Sequence, residues 1–133
     1  MKGDTVRALR FALPMMLAAL ACLAAAGEIR PYSQTQFDSL ATSGKPVLLA
    51  VRASWCTTCM AQKPILDALM AQPAYKDVTL LTIDFDADKP LLSRYKVGMQ
   101  STLIAFRGAN EVGRTVGDTT PAGIEALVRM TVN

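Results

Sequence analysis

The chain contains no histidine, one tryptophan and three cysteines in 133 residues. Without histidine a mixed Cys/His zinc site cannot form, and three cysteines fall short of the four ligands that a structural zinc takes. A c-type haem attachment needs histidine directly after a Cys-x-x-Cys pair, and Met60 stands there. Charge of one sign is also scarce. Of the formal net charge of +3, Lys2, Arg7 and Arg10 against Asp4 account for two, all within the first ten residues. From Gly27 onward eleven basic side chains face ten acidic ones. That surplus of one leaves no electrostatic footprint for DNA or RNA, so no nucleic-acid partner is expected. After Gly27 internal repeats, linkers and low-complexity stretches are absent too. The charge-free run from Phe11 to Ala26 covers 16 residues and contains Pro14, short of the roughly 20 that a membrane-spanning helix requires.

What is present at the amino end reads as an export signal. Basic residues up to Arg10 precede the apolar run, and Ala24-Ala25-Ala26 offers small residues for cleavage before Gly27. Residues 1–26 are therefore expected to be a cleaved signal, the alternative being an uncleaved segment that anchors the protein. Cys22 suggests a lipid attachment, but Ala19-Leu20-Ala21 matches the usual pattern before such a cysteine poorly. It is read as a small apolar residue of the signal core. Residues 27–133 then form one domain, long enough for a single buried core, and the 51% hydrophobic content suits a globular chain. Delivery to the periplasm puts the remaining thiols in an oxidising compartment, where they form disulfides unless something reduces them.

Periodicity predicts α-β-α-β-α-β-β-α. Tyr32 to Ala41 spaces Phe37, Leu40 and Ala41 as a helix does, with Ser33 or Thr35 as cap. Thr42-Ser43-Gly44-Lys45-Pro46 breaks it. Val47 to Val51 is an unbroken apolar run, the pattern of a strand buried on both faces. Cys56 to Ala71 reads as a helix with Met60, Leu66, Leu69 and Met70 inward and Pro64 inside it. Val78 to Phe85 is the next strand, and Asp88 caps a short helix from Lys89 to Tyr95. Thr102 to Phe106 and Glu111 to Val116 form a hairpin, and Thr120-Pro121 starts a last helix with Ile124, Ala126, Leu127 and Val128. The fold class is α/β: a central mixed sheet of about four strands with helices on both faces, built on a right-handed crossover. Sites in such sheets lie beyond the carboxyl ends of strands, where Arg52-Ala53-Ser54-Trp55 delivers Cys56.

Trp55-Cys56-Thr57-Thr58-Cys59 carries the chemistry. A helix start exposes the first sulfur and half-buries the second. Unpaired N–H groups and the positive dipole end stabilise a Cys56 thiolate, lowering its pKa below the free value of about 8.5. Such a thiolate attacks a partner disulfide, and a neighbouring thiol resolves the mixed disulfide. Cys56 is the expected attacker and Cys59 the resolver. Trp55, directly before the pair, is expected to line the site.

From residue 32 to 131 the chain resembles the thioredoxin family. Trp-Cys-x-x-Cys after a buried strand, Pro64 five residues on, Ile83-Asp84-Phe85-Asp86, Tyr95-Lys96-Val97, Thr102 to Phe106 and Gly117 all find counterparts there. Gly44-Lys45-Pro46-Val47-Leu48 is similar to the start of periplasmic relatives in the reductive branch. The resemblance implies a thioredoxin-like fold, a redox disulfide Cys56–Cys59, an environment of Trp55, Thr57, Thr58 and Ser101, and a substrate groove along Gln100, Thr102 and Gly117. It also brings departures. Ser101 replaces the family's cis-proline, and the Gln100–Ser101 bond is expected to be trans, with a more open and polar groove. Ala50 stands where many members bury a carboxylate that deprotonates the resolving cysteine, and Thr82 where its lysine neighbour would be. Strong oxidants of this fold often carry histidine between the cysteines, whereas Thr57 and Thr58 bring no charge, which favours reductive work.

The expected function is thiol–disulfide exchange with exported proteins bearing disulfides, re-reduced by a membrane electron donor, by a monomer without cofactor or metal. The alternative uses the same pair differently. Two soft thiolates with Met60 and Met99 suit Cu(I), an iron–sulfur cluster bridging two chains suits a site without the proline, and a redox sensor would switch a binding surface.

Overall fold

The computed structural model describes residues 25–133, so the expected signal, residues 1–26, lies almost wholly outside the described residues. Strand β1 (Glu28–Pro31) is followed by α1 (Gln34–Thr42), β2 (Pro46–Arg52), α2 (Thr57–Met70), β3 (Thr79–Asp84), α3 (Lys89–Arg94), β4 (Thr102–Arg107), β5 (Asn110–Val116) and α4 (Pro121–Arg129). The sheet order is β1-β3-β2-β4-β5. β1 and β2 flank β3 in parallel, while β4 runs antiparallel to both β2 and β5.

The sheet thus has five strands where periodicity predicts four. Glu28-Ile29-Arg30-Pro31 has little apolar content and is exposed along its whole length, so no hydrophobic pattern betrays it. It is a strand because backbone pairing with β3 makes it one, and Pro31 is tolerated because this is the sheet edge. Its entry is tied down by Gly27, whose N–H donates to the Met70 carbonyl at 2.7 Å, and by Glu28, whose N–H donates to Val78 at 3.0 Å. A Cβ on Gly27 would stand 2.7 Å from the Tyr75 oxygen and 2.8 Å from the Val78 oxygen. Only glycine fits there.

β2 is the spine, and its apolar run is buried on both faces as expected. Val47, Leu49 and Val51 pack with Phe37, Leu81, Ile83, Leu92, Ile104 and Phe106 on the α1/α3 side. Leu48 and Ala50 pack with Leu66, Leu69, Met70, Leu103, Ile124 and Leu127 on the α2/α4 side. Each fully buried aliphatic side chain contributes about 1.5–3 kcal/mol relative to exposure, so the strand that leads into the cysteine pair is among the best anchored.

The helix signals hold with two corrections. The Ser33 hydroxyl accepts from Gln36 N–H and the Thr120 hydroxyl from Gly123 N–H, as caps do. Asp88 makes no cap bond to α3; its carboxylate instead accepts from Asp84 N–H at 2.9 Å. Met60, expected inward, is exposed. The buried row of α2 is Cys59, Gln62, Leu66, Leu69 and Met70, and one residue further on the helix turns away by about 100°.

Candidate active site

Strand β2 ends at Arg52, and a three-residue turn hands the chain to Cys56, the N-cap of α2. Cys56 has extended backbone angles, its N–H donates to the Ala53 carbonyl at 3.2 Å, and its sulfur accepts from Cys59 N–H at 3.1 Å. The sulfur sits where a capping oxygen sits in other helices, facing the free N–H groups and the positive end of the dipole. Cys56 and Cys59 are joined as a disulfide with Cα atoms 5.3 Å apart. Both are buried, Cys56 at 3% and Cys59 at 6% exposure. The expected contrast between an exposed first sulfur and a half-buried second is absent, because the pair packs as a cluster with Ala53 and against Phe85.

Trp55 stands outside this cluster, 55% exposed. Its indole N–H donates to Asp86 at 2.7 Å, and its ring meets Phe85 edge-on with centroids 6.4 Å apart. The loop beneath is organised by Asp84, whose carboxylate accepts from Asp86 N–H at 2.8 Å and Ala87 N–H at 3.0 Å. The Ala87 bond first, then that of Asp86, holds the Asp84 carboxyl below its ordinary range. Thr57 is exposed and Thr58 half-buried.

Ser101 is tied to the end of β2 through Val51, with a trans peptide before it and a left-handed backbone, φ +59°. Such a conformation costs a non-glycine residue about 1–2 kcal/mol, and the surroundings over-determine it. Ser101 N–H donates to the Val51 carbonyl at 2.8 Å, and its own carbonyl accepts from Gly117 N–H at 3.0 Å and from the Gln62 amide at 3.2 Å. Its hydroxyl donates to the Gln100 carbonyl. Gly117, at φ +73°, brings its backbone close beside it. Gln100 is half-buried at the rim, whereas Thr102 is 1% exposed and turns its hydroxyl to the Met99 carbonyl, so Thr102 supports the loop from within.

Sequence reasoning missed Gln62. It is 3% exposed, and its amide also donates to the Asp118 carbonyl at 2.8 Å, tying α2 to the loops that carry Ser101 and Asp118. The available signal was a polar residue in the apolar row between Cys59 and Leu66. Asp118 accepts from the Thr120 backbone and hydroxyl at 2.8 and 2.7 Å, which holds its carboxyl below the ordinary range.

Behind Cys59, Ala50 leaves a small void of about 20 Å³, also lined by Gln62, Lys63, Leu66 and Asp67. An open cleft of about 590 Å³ reaches Cys59 from the β3 side, past Arg52, Met60, Lys63, Asp84 and Asp88. Among the described residues no three His, Cys, Asp or Glu side chains group as a metal site would need. Met60 and Met99 are both exposed.

This arrangement matches known proteins. The family model described as Thioredoxin matches residues 28–130. The thioredoxin of Chlamydia trachomatis serovar D is 36% identical over 89 residues, 67% of this chain and 84% of the relative. Thioredoxin-2 of Saccharomyces cerevisiae is 31% identical over 101 residues, 75% of this chain and 94% of the relative. Among solved structures, Trxlp from Edwardsiella tarda EIB202 superposes with a TM-score of 0.73 at 40% identity, covering 75% of this chain and 98% of that one.

Proposed function

The chain belongs to the thioredoxin family, and from that premise we propose that it works as a reductase on exported proteins bearing disulfides. The family and the cysteine pair make it a thiol–disulfide oxidoreductase. The observation that carries the proposal is Cys56 at the N-cap of α2, at the carboxyl edge of the sheet, bonded to Cys59 three residues on. In the forward direction the Cys56 thiolate attacks one sulfur of the partner disulfide, and the other partner sulfur leaves as a thiolate. Cys59, as thiolate, then attacks Cys56 Sγ and the second partner sulfur leaves. Two partner thiols and one Cys56–Cys59 disulfide result, so the dithiol must be regenerated by a donor, which for an exported protein means a conduit through the membrane. The reductive direction is supported by the uncharged Thr57-Thr58 between the cysteines and by the absence of any histidine. The exported location is supported by the pattern of residues 1–26.

Because both sulfurs are buried in the disulfide, accessibility does not distinguish attacker from resolver, and the helix-cap position of Cys56 does. Brief alkylation of the reduced protein near neutral pH, with peptide mapping, should modify Cys56 before Cys59. Equilibration with glutathione tests the direction: a potential of about −200 to −280 mV is expected, and one above about −150 mV would replace reduction by oxidation.

A further inference from the structure

Exchange through this pair leaves the proton on Cys59 without a receiver of the usual kind. Ala50 and Thr82 occupy the places where the resemblance implies a buried carboxylate and its lysine. The Cys59 sulfur lies 3.9 Å from the Val51 carbonyl, and the charged side chains that follow it in register are on its own helix. Cys59, Lys63 and Asp67 follow one another at i, i+4 and i+8, and residues four apart on a helix are neighbours on one face, with Cβ atoms about 5–6 Å apart. Lys63 and Cys59 line the small void together and the open cleft together. Asp67 pins the ammonium, Lys63 Nζ lying 2.6 Å from its carboxylate. The other charged groups around the sulfur are Arg52 from β2, which lines both spaces, and Asp84 and Asp88 across the cleft. Asp84 is turned to backbone N–H groups of its own loop, and Asp88 to Asp84 N–H. Along the helix face of Cys59 the first charged side chain is therefore the cation Lys63, with the anion Asp67 one turn beyond it.

We propose that Lys63 is a positioning residue for the resolving step, holding a positive charge beside Cys59 so that its proton leaves to water in the cleft and the sulfur attacks as a thiolate. The step balances simply. The Cys59 S–H bond breaks with its proton going to solvent, the new thiolate forms a bond to Cys56 Sγ, and the partner sulfur departs with the electron pair. Ala50 contributes by leaving room: a void of about 20 Å³ exceeds the 10–15 Å³ that one water occupies, and Gln62, Lys63 and Asp67 supply polar partners around it.

The consequence for turnover rests on the exchange reading above, but the test needs neither partner nor reductant. Cys56→Ser leaves a good N-cap residue in place and frees Cys59. In that full-length background, the pH dependence of Cys59 alkylation is followed by peptide mapping, which separates it from Cys22. Two unit charges about 6–8 Å apart at a partly buried site move a titration by about one to two units, and the solvent exposure of Lys63 together with the opposite charge of Asp67 reduces that. Adding Lys63→Met should raise the alkylation midpoint by about one pH unit, slowing the reaction at pH 7 about tenfold. Lys63→Arg should restore it. A midpoint unchanged by Lys63→Met, or shifted equally by Lys63→Arg, would overturn the inference while leaving the exchange activity itself untouched. Lys63 is exposed (59% for the side chain), so neither variant threatens the fold.

Discussion

Gln62→Glu separates the electrostatics of the loop latch from simple packing, because the two side chains are nearly the same size. The native amide gives one N–H to Asp118 O at 2.8 Å and another to Ser101 O at 3.2 Å, at 3% exposure. An ionised carboxylate has no donor to offer and would point an oxygen at each carbonyl. Burial and the facing carbonyls both disfavour the charge, so the folded-state pKa of the new carboxyl rises above its unfolded value of about 4.3. A raised pKa means that ionisation costs no stability below about pH 4.3 and an increasing amount as pH climbs toward the folded value. A rise of two to three units corresponds to about 3–4 kcal/mol at pH 7.5. At pH 4 the protonated group still donates one bond, and the remaining cost is about 1 kcal/mol, that of one lost bond. Urea unfolding of the oxidised protein and variant at both pH values measures this through the midpoint at constant slope. For a domain of this size the loss at pH 7.5 would also lower Tm by roughly 15–20 °C. Equal losses at the two pH values, or a loss under about 1 kcal/mol at pH 7.5, would refute the donor role assigned to Gln62.

Gly27→Ala should destabilise by about 1–3 kcal/mol, since its methyl would press on two backbone carbonyls that cannot swing aside; thermal unfolding at native-like stability would show that β1 is not docked there. Ser101→Gly removes left-handed strain but adds chain entropy and loses the hydroxyl bond, so stability should stay within about 1 kcal/mol, whereas a loss above about 2 kcal/mol would show that the hydroxyl, not the backbone clasp, holds the loop. Closing a ring of only four residues restrains the unfolded chain by about 2 kcal/mol at most. Oxidised and reduced protein compared in urea should therefore differ by no more than that, and a larger gap would mean that the disulfide reorganises the fold.

Much of the architecture was legible because the signals were local. The unbroken run Val47 to Val51 marks a strand buried on both faces, Thr120-Pro121 marks a helix start, and Trp55 to Cys59 marks redox chemistry by spacing alone. β1 was not legible, for its four residues carry no hydrophobic pattern and owe their conformation to hydrogen bonds with a strand about 50 residues away. Met60 misled because its apolar side chain reads as part of the inward row with Leu66, Leu69 and Met70, while the helical turn rotates it to the surface.

The site divides along the same line. The chemical capacity of the pair, its position at a helix start and the absence of histidine ligands follow from residue identity and spacing, which are properties of the linear chain. The partners of those residues do not. That Ser101 is left-handed after a trans bond, with Gly117 and Gln62 holding its carbonyl, depends on three segments 16 to 39 residues apart meeting at one point. The burial of Cys56, likewise, is decided by Ala53 and Phe85 closing around it. Composition and periodicity report what a residue can do and which face of its own element it shares; which donor reaches which acceptor across elements is decided only when the core packs and sets those distances.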